Sequence, residues 1–188
     1  MVFFTADLHI NDTKTYESTR SKLFRSEVSF HNYLMQRWNS KVTDHDTVIT
    51  IGDVGEPSDT TLDILSYLNG HKILVIGNHD EDNLDYLFDV FDSMMYFYST
   101  QIGYTSVCCF HKPLLQTNVF RQGYDVFIHG HHHMYNEYTW RAGAYALKDT
   151  NKYNACLDLN NFEPCTLQEL KYNKPYQLQF FEKEWFKL

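Results

Sequence analysis

Five short stretches of this chain carry side chains able to hold a metal ion or move a proton: Asp7-Leu8-His9, Gly52-Asp53, Gly77-Asn78-His79-Asp80, His111 and Gly130-His131-His132-His133. Each alone is commonplace. In order, and each at the end of an apolar run, they offer two carboxylates (Asp7, Asp53), one amide oxygen (Asn78) and four imidazoles (His9, His111, His131, His133). That mixture of hard oxygen and borderline nitrogen donors suits two divalent cations. His79 is left over for proton transfer. In extended backbone, residues i and i+2 face the same side, so Asp7 and His9 are expected to grip one ion together. His131 and His133 share that spacing, which turns His132 the other way. A glycine precedes each of Asp53, Asn78 and His131, where it permits a sharp turn and a close approach. Asp53, the acid at the central strand end, is the candidate to be shared. Two cations about 3.5–4 Å apart can hold a hydroxide between them and clamp phosphoryl oxygens.

The composition suits a single domain around these residues. The 188 residues are 43% hydrophobic and 16% aromatic, enough for one folded unit with a real core. A formal charge of −8 argues against broad adhesion to duplex nucleic acid or anionic lipid, which need a basic surface. It does not exclude a phosphate substrate, because two bound cations would put positive charge where it matters. The four cysteines (Cys108, Cys109, Cys156, Cys165) lack Cys-x-x-Cys spacing and are expected to serve as small apolar filler in a reducing compartment. Cys108 and Cys109, being adjacent, should point to opposite faces of a strand. No apolar run approaches the roughly 18 residues of a membrane span. No secretory leader is expected either, since cleavage behind Val2-Phe3-Phe4 would remove Asp7 and His9. A cytoplasmic protein is the expectation.

Short β-branched and aromatic runs alternate with amphipathic stretches, the pattern of an α/β layered fold. Strands are predicted over Val2–Ala6, Thr47–Ile51, Lys72–Ile76, Met94–Ser99, Thr105–Phe110, Tyr124–Ile128 and Asn154–Leu159. Helices are predicted over Ser26–Trp38, from Pro57-Ser58 to a stop at Gly70 with Leu62, Leu65 and Leu68 inward, over Asn83–Phe88, and near Thr166–Leu170. Lys72–Ile76 is apolar enough to be buried on both faces. Gly103 joins the two runs beside it into an antiparallel hairpin, so the sheets should be mixed. At least four strands end in a ligand-type residue, and open α/β sheets place their sites at such carboxyl ends. The aromatic tail Tyr176–Leu188 has no assigned place.

The order D-x-H, GD, GNHD, H, GHxH resembles the calcineurin-like metallophosphoesterase superfamily, particularly its compact members from bacteria and phages, over roughly residues 1–135. The resemblance implies one metallophosphoesterase domain over 1–188, folded as a four-layer α/β/β/α sandwich with two mixed β-sheets. It implies that one ion takes Asp7, His9, Asp53 and His133, and the other Asp53, Asn78, His111 and His131. His79 would be the acid or electrostatic stabiliser at the leaving group, with Asp80 orienting it. The ions implied are manganese, iron, zinc or nickel, with manganese expected in vitro. The function implied is phosphodiester hydrolysis on nucleotide or nucleic-acid-type substrates; phosphomonoester hydrolysis and a non-catalytic scaffold, typified by the retromer subunit of this fold, are the alternatives. Scaffolds of that kind tend to lose the acid histidine, which His79 supplies here. Glu56 is read as a helix cap rather than a ligand, and Lys112 as a solvated lysine or a phosphate contact. His31, His45 and His71 are expected at the surface. His129 is expected to support a ligand by hydrogen bonding, and His132 to face solvent or substrate.

Overall fold

The structure, a computed structural model, describes residues 1–113, 122–133 and 151–173. Strands β1 (Val2–Thr5), β2 (Thr47–Ile51), β3 (His71–Val75) and β4 (Ser93–Met95) pair in that order, parallel at every ladder. Parallel neighbours need crossovers, and these are helical. Between β1 and β2 lie α1 (Thr13–Thr15), which continues into a π-helical turn at Tyr16–Arg20, and α2 (Glu27–Asn39). α3 (Asp59–Tyr67) joins β2 to β3, and α4 (Leu84–Leu87) joins β3 to β4. A second sheet holds β5 (Tyr98–Ile102), β6 (Thr105–Cys109), β7 (Val126–His129) and β8 (Lys152–Asn154) in that order. β5 and β6 form the expected antiparallel hairpin at Gly103, while β6, β7 and β8 run parallel. Residues 167–173 form α5. The molecule is an α/β sandwich of two sheets. The second sheet is mixed; among the described residues the first gains an antiparallel partner only at its β1 edge, through the Phe4–Cys165 bridge.

Alternation of side chains along the first sheet builds two cores. Phe3, Val48 and Leu74 face the helices, where Phe30, Leu34 and Trp38 of α2 meet Ile64 and Leu65 of α3. Phe4, Ile49 and Val75 face the second sheet and pack with Val107, Cys109, Val126 and Ile128. Burial on both faces explains why these strands read as nearly unbroken apolar runs. Cys109 lies between the sheets and Cys108 on the outer face beside Phe127, as adjacency in a strand requires. The expectation of a fourth layer over that outer face lies outside the described residues. Local signals fix the helix starts. Ser26 caps α2 in a reciprocal box with Ser29, and the Ser58 hydroxyl caps α3 by accepting the Thr61 N–H.

Several boundaries differ from the sequence expectation. Met94–Ser99 is not one strand. Its first residues end β4 and its last begin β5, so the run crosses from one sheet to the other at Tyr96-Phe97. Asn154–Leu159 also breaks: β8 stops at Asn154, Cys156 bridges to Ala6, and Leu157–Leu159 is a 3-10 turn. In α3 the inward face is Thr61, Ile64 and Leu65, with Leu62 only half-buried. That helix ends at Tyr67, and Gly70 lies beyond it in the turn to β3, at φ 95°. Ser58, not Glu56, supplies the cap; Glu56 is exposed, and its carbonyl accepts the Thr61 hydroxyl at 2.8 Å. The tail Tyr176–Leu188 lies outside the described residues.

Candidate metal centre

The chain leaving β1, β2, β3, β6 and β7 at their carboxyl ends brings the five motifs together. Asp7, His9, Asp53 and His131 adopt left-handed φ angles of 59°, 43°, 56° and 70°. Their backbone is therefore not extended, and strand alternation is not what points these side chains inward. Residues in this region store about 1–3 kcal/mol each and persist only where their surroundings over-determine them. Here the surroundings are the neighbouring loops. Asp7 N–H donates to Gly52 O at 2.9 Å, His9 N–H to Asp53 O at 3.0 Å, and His131 N–H to the Asp7 carboxylate at 3.0 Å. Two glycines make this crossing of loops possible. A Cβ on Gly77 would stand 2.3 Å from Asp53 Oδ1, and one on Gly130 would stand 2.6 Å from Ala6 Cβ.

Two clusters of donor atoms result. Asp7, His9 and His133 bring theirs within 4.8 Å of one another, and Asp53, His111 and His131 do the same. Asp53 lies between them. Its Oδ1 accepts the His79 N–H at 3.0 Å, while Oδ2 stands 3.1 Å from His111 Nε2 and 3.8 Å from His9 Nε2. His133 Nε2 is 3.4 Å from Asp7 Oδ1. Three of the imidazoles are fixed through their other nitrogen. His9 Nδ1 donates to Asp12 at 2.9 Å, His111 Nδ1 to Ile51 O at 2.8 Å, and His133 Nδ1 to Asp158 at 2.7 Å. Those partners only accept, so each Nδ1 carries the proton and each Nε2 faces the cluster. That is the arrangement metal-ligating histidines adopt. His131 uses Nδ1 instead, 3.3 Å from His111 Nε2, a separation that calls for a proton or cation between them. Asn78 Oδ1 is buried without any hydrogen-bond partner, which costs about 1–3 kcal/mol unless a cation meets it. The donors and the orphaned oxygen fit divalent ions.

Charge tells the same story. Burial works against an ionised Asp7, but the imidazoles of His133, His111 and His9 outweigh it and hold the carboxyl well below the usual range. Asp53 is also lowered, burial being overcome chiefly by the His111 hydrogen bond. Burial would lower His111, yet its bond to Asp53 and the charges of Asp7 and Asp53 lift it to about 9. His133 rises well above its ordinary value for similar reasons: burial opposes, while Cys156, Asp7 and Asp158 prevail. Protons on these rings supply the positive charge that ions would otherwise bring, so ion binding should release them.

The remaining residues fall into place around the two clusters. His79 is exposed, its ring edge-on to His9 at 5.2 Å. Asp80 was expected to orient His79 but is engaged elsewhere. Its carboxylate accepts the N–H groups of Asp53, Val54 and Gly77 at 2.9, 2.9 and 2.8 Å, tying the β2 loop to the β3 loop. Burial raises its carboxyl above the ordinary value despite those bonds. His132 does not face solvent. It is 8% exposed, with ring centroids 5.3 Å from His131 and 6.2 Å from His129. His129 is fully buried, donates through Nδ1 to Gly130 O at 2.9 Å, and is pushed by burial down to about 3; it supports the loop backbone and not a ligand ring. His31, expected at the surface, is 5% exposed and accepts the Asn11 N–H. His45, His71 and Lys112 are exposed.

Three supporting residues escaped the sequence reading: Asp12, Arg20 and Asp158. Asp12 follows His9 by three positions and caps α1, a signal that could have been noticed. Arg20 and Asp158 stand far apart in sequence and pair only through the fold. His133, Cys156 and Asp158 form a third cluster of possible ligands. Asp158 is already engaged by Arg20 and His133, and burial pushes the Cys156 thiol up to about 12, so this cluster is a brace.

No protein-family model and no curated protein matches the chain. Among solved structures it is similar to AQ665, a protein of unknown function from Aquifex aeolicus, with a TM-score of 0.74 and 22% identity, covering 92% of this chain and 98% of that one. An archaeal phosphodiesterase aligns at TM-score 0.46 and 20% identity over 70% of this chain and 73% of that one. Vps29 of Chaetomium thermophilum aligns at 0.37 and 12% over 69% and 59%. The first of these shares the fold across nearly its whole length. At such identities none assigns an activity.

Proposed function

We propose that this chain is a metal-dependent phosphoester hydrolase of the calcineurin-like metallophosphoesterase type, with phosphodiesters as its preferred substrates. The observation that carries this reading is Asp53 Oδ2 standing between His9 Nε2 and His111 Nε2, beside the orphaned Asn78 oxygen. Asp7, His9, Asp53 and His133 would hold one divalent ion, and Asp53, Asn78, His111 and His131 the other. When bound, such a pair polarises a phosphoryl group and activates a water at neutral pH. The protein's own groups do the rest. His79, exposed at the rim beside His9, is placed to deliver a proton from its ring to a leaving oxygen, help typically worth about 10²–10⁴-fold. The His79 N–H meanwhile holds Asp53 Oδ1, so the same turn fixes the shared carboxylate.

Two points support a diester over a monoester. No insertion of domain size separates the motifs in the sequence, so no separate cap domain is expected to restrict the substrate to a small monoester. Arg20, a buried cation beside the site, donates to Asp158 and to main-chain carbonyls and is not free to meet the second charge of a monoester dianion. A nucleotide or small diester is the proposed substrate class. A cytoplasmic setting is part of the proposal, in keeping with four free, buried cysteines; among the described residues no helix is long and apolar enough to cross a membrane. The test is elemental analysis of purified protein with a manganese-supplemented assay on bis-p-nitrophenyl and mono-p-nitrophenyl phosphate. Two ions per chain and faster diester cleavage are expected. Protein that takes up no ion, or that splits the monoester alone, overturns the assignment.

A further inference from the structure

Arg20 ends the π-helical turn after α1 and is fully buried, its guanidinium 4.3 Å over the Phe30 ring. Nε and Nη2 donate to the two oxygens of Asp158 at 2.9 and 3.2 Å, Nη1 donates to Leu8 O at 2.6 Å, and Nη2 also donates to Asp7 O at 2.8 Å. Asp158 in turn accepts the Nδ1–H of His133. One side chain therefore grips the main chain between the left-handed residues Asp7 and His9 and, through Asp158, the ring of His133. Those three residues are one of the two donor clusters, and Arg20 makes no hydrogen bond to any member of the other, Asp53, His111 and His131. A buried ion pair kept only for stability is often replaceable by apolar groups. Here, of the two clusters' members, the pair's own hydrogen bonds reach only Asp7 and His133, both of one cluster.

We propose that Arg20 is a positioning residue that sets the ion affinity of the Asp7–His9–His133 cluster separately from that of its neighbour, by fixing the Asp7-Leu8 backbone and, through Asp158, the ring of His133. The proposal rests on the two-ion reading above. A lysine keeps the charge but lacks the planar fork that reaches a carboxylate and two carbonyls together. Loss of such support typically costs 10–100-fold in metal affinity.

The experiment is calorimetric titration of metal-free protein with manganese alone, for wild type, Arg20→Lys, Phe30→Leu and Asp7→Asn, with and without Arg20→Lys added to the last. Wild type should show two sites. Arg20→Lys should weaken one by about 10–100-fold and leave the other unchanged. Phe30→Leu, which loosens the core under the guanidinium, should lower the melting temperature and keep both sites. Asp7→Asn should lose the same site, and adding Arg20→Lys should then leave the remaining ion untouched. Equal weakening of both sites, no weakening, or the same selectivity from Phe30→Leu overturns the proposal while the function stands. A wild type that binds no ion removes both. If Arg20→Lys does not fold, nuclear magnetic resonance of zinc-loaded wild type decides: slowly exchanging protons on Arg20 Nε and His133 Nδ1 are expected, and a His133 ring protonated on Nε2 alone overturns it.

Discussion

Asp53 is held by one oxygen and offered by the other. With Oδ1 bound to the His79 N–H, the carboxylate cannot rotate freely, and Oδ2 stays between His9 and His111. Asp53→Asn keeps nearly the same shape and removes one anionic donor. If the oxygen is shared, that variant should lose ion content at both sites together, read by elemental analysis, with its far-ultraviolet circular dichroism unchanged. Loss of one ion with full retention of the other would make Asp53 a ligand to that ion only. The neighbouring histidines separate by burial instead of by strand alternation. His132 packs against the rings of His131 and His129 and offers no nitrogen to either cluster. His132→Ala should thus lower stability in urea by about 1–3 kcal/mol, within the range for a buried truncation, and retain both ions. Ion loss without loss of stability would place His132 among the ligands.

At the scale of elements, the loops that carry the site are tied to one another by hydrogen bonds. The Asp80 carboxylate, on the β3 loop, satisfies three main-chain N–H groups, two of which belong to the β2 loop. Asp80→Ala strands all three, and each buried unpaired donor costs about 1–3 kcal/mol. Urea unfolding should show a large loss for Asp80→Ala and a smaller one for Asp80→Asn, which keeps an oxygen acceptor. A loss no greater than about 0.5 kcal/mol for the alanine variant, the level of ordinary surface changes, would mean the knot carries little. This role was illegible in the sequence, where Asp80 stands next to His79 and invites a catalytic reading. What could be read was periodic. Phe30, Leu34 and Trp38 announced α2, Pro57-Ser58 announced where α3 opens even though Glu56 reads as its cap, and apolar runs announced the strands whose ends carry the ligands. What could not be read was any feature set by a distant partner. The run across Tyr96-Phe97 is equally strand-like on both sides of its change of sheet, and nothing near Arg20 or Asp158 signals that the fold will join them. The expected facing of Asp7 and His9 was reached through extended geometry, whereas left-handed turns pinned from neighbouring loops produce it.

At the scale of the whole molecule, the site sits where the carboxyl ends of both sheets converge, so sheet stacking and site geometry share residues. His129 ends β7 inside that junction, fully buried and uncharged, its donor fixed on Gly130 O. Its ordinary value is 6.5, and burial lowers it to about 3 in the fold. Between those values the unfolded chain binds a proton at this residue and the folded chain does not. The contribution of this residue is therefore fully present above 6.5 and falls as pH drops through this window, by at most about 1.4 kcal/mol per pH unit for one proton. His132, lowered by burial to about 4, adds to the same limb. His111, raised to about 9, does not, since below 6.5 it is protonated in both states. Asp158, held below its ordinary 3.8 against burial by Arg20 and His133, begins to contribute only under that value. Acid loss in metal-free protein should thus begin near pH 6.5, well above the carboxylate range. His129→Asn removes one of the responsible groups. Urea unfolding in a chelating buffer at pH 7, 6, 5 and 4.5 should give a shallower fall for the variant than for wild type, whatever its stability at pH 7. Parallel curves would mean that His129 takes up its proton without unfolding, and that the junction between the sheets admits water.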